Sequence, residues 1–132
     1  MRKIDTIVIH HSGNTDTVEQ IRKLHVEING WDNIGYHFMI SRNGEIMPGR
    51  DLKTEGAHVL GFNKNSIGIC LLGNFDEEIL NEKQKQCLIG LLENLIINFN
   101  LTKNNVKFHR DFPNVNKNCP GKNINSELIF DF

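Results

Sequence analysis

Three side chains that lie far apart in the sequence have the right chemistry to share one ion. His109 follows Val106-Lys107-Phe108, and nine residues separate it from Cys119, which stands in front of Pro120-Gly121. His10 closes the β-branched run Ile7-Val8-Ile9 near the N-terminus, with His11 directly after it. Two imidazoles and one thiolate leave the fourth position of a zinc ion open, which is the pattern of a catalytic rather than a structural site. Zinc bonds of about 2.0 to 2.3 Å require ligands that converge from rigid elements. Taken one at a time, such residues are more often hydrogen-bonded histidines or packed thiols than ligands; it is the three together that point to a metal.

The elements that would carry them follow from periodicity. Ile4 to His10 reads as a strand that stops at Ser12-Gly13-Asn14. Thr17 and Gln20 form a capping-box pattern, and Val18, Ile21, Leu24 and Ile28 recur at helical spacing, which predicts a helix over 17–29 with Gly30 after it. His25 falls inside that helix as a partly buried residue. Tyr36 to Ser41 and Ile46-Met47 form a hairpin around Asn43-Gly44, and Pro48 confines the second strand to an edge. Strand alternation keeps Tyr36 and His37 from pointing at the same place. Residues 51–66 show no periodicity and read as a long ordered loop, while Ile67 to Leu72 is an apolar run expected to be buried on both faces. Asn81 caps a second long helix that reaches residue 99 with Leu88, Leu91, Leu92, Leu95, Ile96 and Phe99 inward. Val106 to Phe108 is a short strand that delivers His109, and 124–132 supplies one or two closing helical turns. The fold class is therefore α/β: a central mixed sheet of about five strands flanked by helices, in one domain spanning 1–132.

Composition excludes several classes. With 132 residues, a formal charge of −1 and 39% hydrophobic residues, the chain is an ordinary globule with no global attraction to nucleic acid. The cysteine count is odd, which argues against a disulfide-stapled scaffold. Cys70 and Cys87 read as packing residues. No apolar run is long enough for membrane insertion, and the N-terminus has no signal-peptide pattern, so synthesis in the cytoplasm is expected. Lys103, Lys107, Arg110, Lys117 and Lys122 against Asp111 alone make the terminal loop region basic, and most of these lysines read as a solvated face.

Five ordered motifs now carry a resemblance. Ile9-His10-His11-Ser12, Gly35-Tyr36-His37-Phe38, Gly56-Ala57-His58, Asn65-Ser66-Ile67-Gly68-Ile69, and His109-Arg110-Asp111 through Lys117-Asn118-Cys119-Pro120-Gly121 resemble the type 2 N-acetylmuramoyl-L-alanine amidases. That family includes phage lysozyme-type amidases and peptidoglycan recognition proteins. The resemblance implies zinc on His10, His109 and Cys119, with Tyr36 and Lys117 as catalytic residues. The implied reaction is hydrolysis of the amide between N-acetylmuramic acid and L-alanine in peptidoglycan. His11 is expected to lie outside the ligand set. His58 is the expected substrate contact, with Trp31 and Arg50 as weaker ones. The departure is Lys122-Asn123, where many relatives have an aromatic-acid pair.

The expected protein is a monomeric, bare catalytic module of endolysin type, which reaches the cell wall after release or delivery from the cell. The competing reading is a peptidoglycan-binding module without hydrolysis; such members typically lack the metal-binding cysteine, and Cys119 is present. A regulatory or interaction role gains no support from any residue.

Overall fold

The computed structural model describes residues 2–113, 115 and 118–130. Its centre is a five-stranded mixed sheet in the order β3-β2-β4-β1-β5, built from β1 (Thr6–His11), β2 (Phe38–Ile40), β3 (Ile46–Pro48), β4 (Ser66–Leu71) and β5 (Val106–Phe108). β1 runs parallel to β4 and β5, β2 runs parallel to β4, and only the β2–β3 hairpin is antiparallel. The hairpin closes over Ser41 to Glu45, where Gly44 takes φ +79°, and Pro48 ends the edge strand as expected.

β4 has parallel neighbours on both sides, and all six of its residues are buried. The 17-residue helix α2 (Glu82–Asn98) covers one face of the sheet, its Leu88, Leu92 and Leu95 packing on Ile7, Ile9, Ile67 and Ile69. Asn81 caps it by accepting the Gln84 amide at 2.9 Å, and the buried Gln84 side chain donates to the Leu72 carbonyl at 3.0 Å. On the other face, α1 (Val18–Lys23) packs Val18 and Ile21 against Met39 and Cys70. Thr17 and Gln20 form the expected capping box. The predicted continuous helix over 17–29 instead changes to a π-helical turn at Leu24–Ile28. Within this turn His25 Nδ1 accepts the Gly35 amide at 2.9 Å. A single turn, α3 (Ser126–Ile129), closes the chain onto α2.

The long loop of residues 49–65 is ordered by two arginines. Arg2 donates to the carbonyls of Leu52, Lys64 and Ser66, at 2.9 to 3.1 Å. Arg50 donates to those of Ile34 and Glu55, at 3.0 and 2.9 Å. His37 lies beneath this loop, accepting the Gly68 amide on Nδ1 at 3.0 Å and donating from Nε2 to the Thr54 carbonyl at 2.8 Å. Burial lowers its pKa to about 4, with the Arg2 charge acting in the same direction. The folded state thus binds this proton less readily than the unfolded chain, whose histidines titrate near 6.5. Stability should be complete above about pH 6.5 and fall as the pH drops toward 4, with His37 contributing a loss of about 2 to 3 kcal/mol by pH 4.5. Urea unfolding of the protein and of His37→Asn at pH 7 and 4.5 checks this; the variant should show a shallower pH dependence, and an equal one contradicts the assignment.

Candidate active site

β1 and β5 are adjacent and parallel, so His10 near the end of β1 and His109 just past the end of β5 emerge side by side, with ring centroids 4.5 Å apart. Cys119 arrives from a loop whose position rests on Arg110. The Arg110 amide donates to the Cys119 carbonyl at 2.9 Å, and its guanidinium donates to the carbonyls of Asn118, Gly121 and Ile124. Arg110 is therefore a clip for the thiol-bearing loop rather than one more solvated cation. Past the thiol, the Lys122 amide donates to Asp76 Oδ1 at 2.9 Å, and the Asn123 side chain donates to the Glu78 carbonyl at 2.8 Å. The departure at these two positions is thus accommodated by specific hydrogen bonds.

The ligand atoms of His10, His109 and Cys119 lie within 4.8 Å of one another, with His10 Nδ1 4.0 Å from Cys119 Sγ. Tetrahedral zinc holds a nitrogen and a sulfur ligand about 3.5 Å apart, so the three fit the ion with a small inward movement. The electrostatics agree. Burial, reinforced by neighbouring His58, His109 and His11, pushes the His10 pKa well down, which leaves a neutral imidazole able to ligate. The His11 amide points at Cys119 Sγ from 3.4 Å, a donor suited to a thiolate. His11 itself does not join the set: its Nδ1 accepts the Phe75 amide at 3.1 Å.

These groups sit in a cleft of roughly 710 Å³ whose walls include Tyr36, Trp31, His25 and Asp76. Tyr36 lies 5.2 Å from His10 between ring centroids, and burial raises its pKa well above the ordinary phenol value, so its hydroxyl stays protonated. Trp31 stacks obliquely on His25 at 4.7 Å. His58 lines the cleft, but its ring nitrogens are engaged by His10 at 2.9 Å and by Ser66 at 3.1 Å. Arg50 sits behind Trp31, its guanidinium donating to the carbonyls of Ile34 and Glu55 and lying 5.9 Å from the Trp31 ring centre. Through these bonds it holds the backbone behind the Trp31 wall. Lys117 lies outside the described residues.

Sequence reasoning passed over Arg110, Ser66 and the His10–His58 contact. Ser66 and His58 both stood within recognisable motifs, but the bond between the loop histidine and the first residue of β4 left no periodic signal.

Comparison with known proteins agrees with this geometry. A family model described as N-acetylmuramoyl-L-alanine amidase matches residues 1–122. The endolysin of Escherichia phage T7 is 38% identical over 104 residues, covering 72% of this chain and 68% of its own length. Peptidoglycan-recognition protein SC2 of Drosophila melanogaster is 30% identical over 131 residues, 92% of this chain and 70% of its own. Among solved structures, N-acetylmuramoyl-L-alanine amidase LysC from Clostridium intestinale superposes with a TM-score of 0.88 at 36% identity, over 97% of this chain and 83% of that one. With matching motifs, the same sheet and a site at the ends of its parallel strands, the chain belongs to the N-acetylmuramoyl-L-alanine amidase family.

Proposed function

We propose that this protein is a zinc-dependent N-acetylmuramoyl-L-alanine amidase that cuts the bond between N-acetylmuramic acid and L-alanine in peptidoglycan, as an endolysin does. The observation that carries this reading is the convergence of His10, His109 and Cys119 within 4.8 Å at the base of an open cleft, in a chain of the amidase family. Residues 1–132 act as one catalytic unit and as a monomer. No helix among the described residues is long and apolar enough to cross a membrane. The site of action is the cell wall, reached after release or delivery.

The zinc, when bound, supplies Lewis acidity that polarises the scissile carbonyl and lowers the pKa of water toward 7. The rest belongs to the chain. His10, His109 and Cys119 fix where the carbonyl carbon must sit. Hydrolysis forms a C–O bond and breaks the C–N bond, with negative charge growing on the carbonyl oxygen and the departing amine gaining a proton. The protonated Tyr36 hydroxyl, on the cleft wall beside His10, donates a hydrogen bond to the reacting groups. Lys117, two residues before the thiol, provides the positive charge that balances the growing negative charge. Trp31 and His25 offer an aromatic face for the sugar or lactyl portion of the substrate.

Incubation with purified peptidoglycan should release new amino termini beginning with L-alanine, and chelation should stop the release until zinc is restored. Binding to peptidoglycan without any release, in zinc-loaded protein, would instead assign the non-hydrolytic recognition role.

A further inference from the structure

The cleft wall contains a hydrogen-bonded chain whose direction is set at its far end. Ser66 Oγ lies 2.8 Å from the Phe62 carbonyl and 3.1 Å from His58 Nε2. A carbonyl can only accept, so the Ser66 hydroxyl spends its single proton on Phe62. Ser66 Oγ must therefore accept from His58, which places the His58 proton on Nε2 and leaves Nδ1 bare. That bare Nδ1 stands 2.9 Å from His10 Nε2 and must accept from it. His10 then carries its proton on Nε2, and its Nδ1, the nitrogen 4.0 Å from Cys119 Sγ, is left with a free lone pair.

From this polarity we infer that His58 is a positioning residue, and that with Ser66 it fixes the tautomer and ring plane of His10 so that the Nδ1 lone pair faces Cys119 and His109. The inference rests on the proposed zinc site for its functional meaning, but the proton order stands on the hydrogen bonds alone.

The surroundings are built to hold His58 still. Asn63 Oδ1 accepts the His58 and Val59 amides at 2.9 and 2.8 Å, pinning the loop backbone. A Cβ at Gly68 would lie 2.7 Å from His58 Cγ, and one at Gly56 would lie 2.7 Å from its Cδ2, so the ring packs close against the backbone of both glycines in space that a side chain would fill. With both ring nitrogens engaged, His58 has none left for a substrate; it reaches the chemistry through His10. A carboxylate in this position would bind a ligating histidine more strongly, but would add a buried charge. A neutral imidazole ending on a serine and a carbonyl gives the same proton order without one.

Two readouts test the inference. In metal-free, 15N-labelled protein, long-range nitrogen–proton correlations should show His10 protonated on Nε2; protonation on Nδ1 overturns the inference whether or not the protein uses zinc. Chelator competition then compares zinc affinity across variants. His58→Ala should bind zinc about 10- to 100-fold more weakly. His58→Asn, whose Oδ1 can replace the accepting Nδ1, should recover most of that loss. If His58→Ala does not fold, the comparison passes to His58→Asn and Ser66→Ala, the latter expected to weaken zinc binding and to leave the His10 tautomer mixed. Wild-type zinc affinity in the His58 variants with a raised KM for muropeptide would make His58 a substrate contact and overturn the inference. A wild-type protein that takes up no zinc would defeat the proposed function, while the tautomer measurement would still decide the role of His58.

Discussion

Cys119→Ser is expected to abolish hydrolysis of peptidoglycan and to weaken zinc binding by roughly two orders of magnitude or more, while the protein stays folded. A thiolate forms readily beside a cation and an amide donor, whereas a serine hydroxyl does not lose its proton near neutrality and offers zinc a poor, neutral oxygen. In the free protein the change is mild. Cys119 is 8% exposed, the replacement is nearly isosteric, and the loop is held through Arg110 and the Cys119 carbonyl, none of which the substitution removes. A stability loss of about 1 kcal/mol or less is expected. Metal content and thermal unfolding measured on the same sample separate the two effects. Full zinc loading in Cys119→Ser would show that the thiol is not a ligand.

Tyr36→Phe is expected to retain zinc and lose activity, with kcat down by about 10²- to 10³-fold and KM little changed. The ring is packed against His10 and His25, at centroid distances of 5.2 and 5.8 Å, and phenylalanine keeps both contacts. What is removed is a single proton donor. Its value comes from where it stands: burial, helped by its hydrogen bond to the Cys70 thiol, keeps the hydroxyl protonated, and that proton can turn from the weak sulfur acceptor to the substrate as charge develops. Chelator titration alongside steady-state kinetics checks the split between binding and turnover. Activity within about threefold of the parent protein would take the hydroxyl out of the reaction.

The regular elements were legible because their signals are local. The capping residues Thr17 and Asn81, the leucines of α2, the turn at Gly44 and the apolar run of β4 each depend on neighbours a few residues away. His10 and His109 were legible as strand-end residues for the same reason, and the five motifs in their order completed the site. What stayed hidden is non-local. Arg110 reads as one cation in a basic stretch until its guanidinium is seen gripping the carbonyls on both sides of Cys119. The bonds by which Arg50 holds the carbonyls of Ile34 and Glu55 likewise join segments that no local pattern links. His58 and His10 are 48 positions apart and meet because the loop before β4 folds the His58 ring over Gly68, beside β1; no periodicity in either segment announces the bond. The π-helical turn at Leu24–Ile28, where His25 bonds the Gly35 amide ten residues on, likewise carries no signal in the 3.6-residue apolar spacing.

The most direct measurement is X-ray absorption at the zinc edge on the loaded, active protein. One sulfur at about 2.3 Å and two imidazole nitrogens at about 2.0 to 2.1 Å, with one further light atom, is the shell that His10, His109 and Cys119 should give. A shell without sulfur, or one with two or more sulfurs, would place the metal elsewhere and contradict the assignment of this cluster as the catalytic centre.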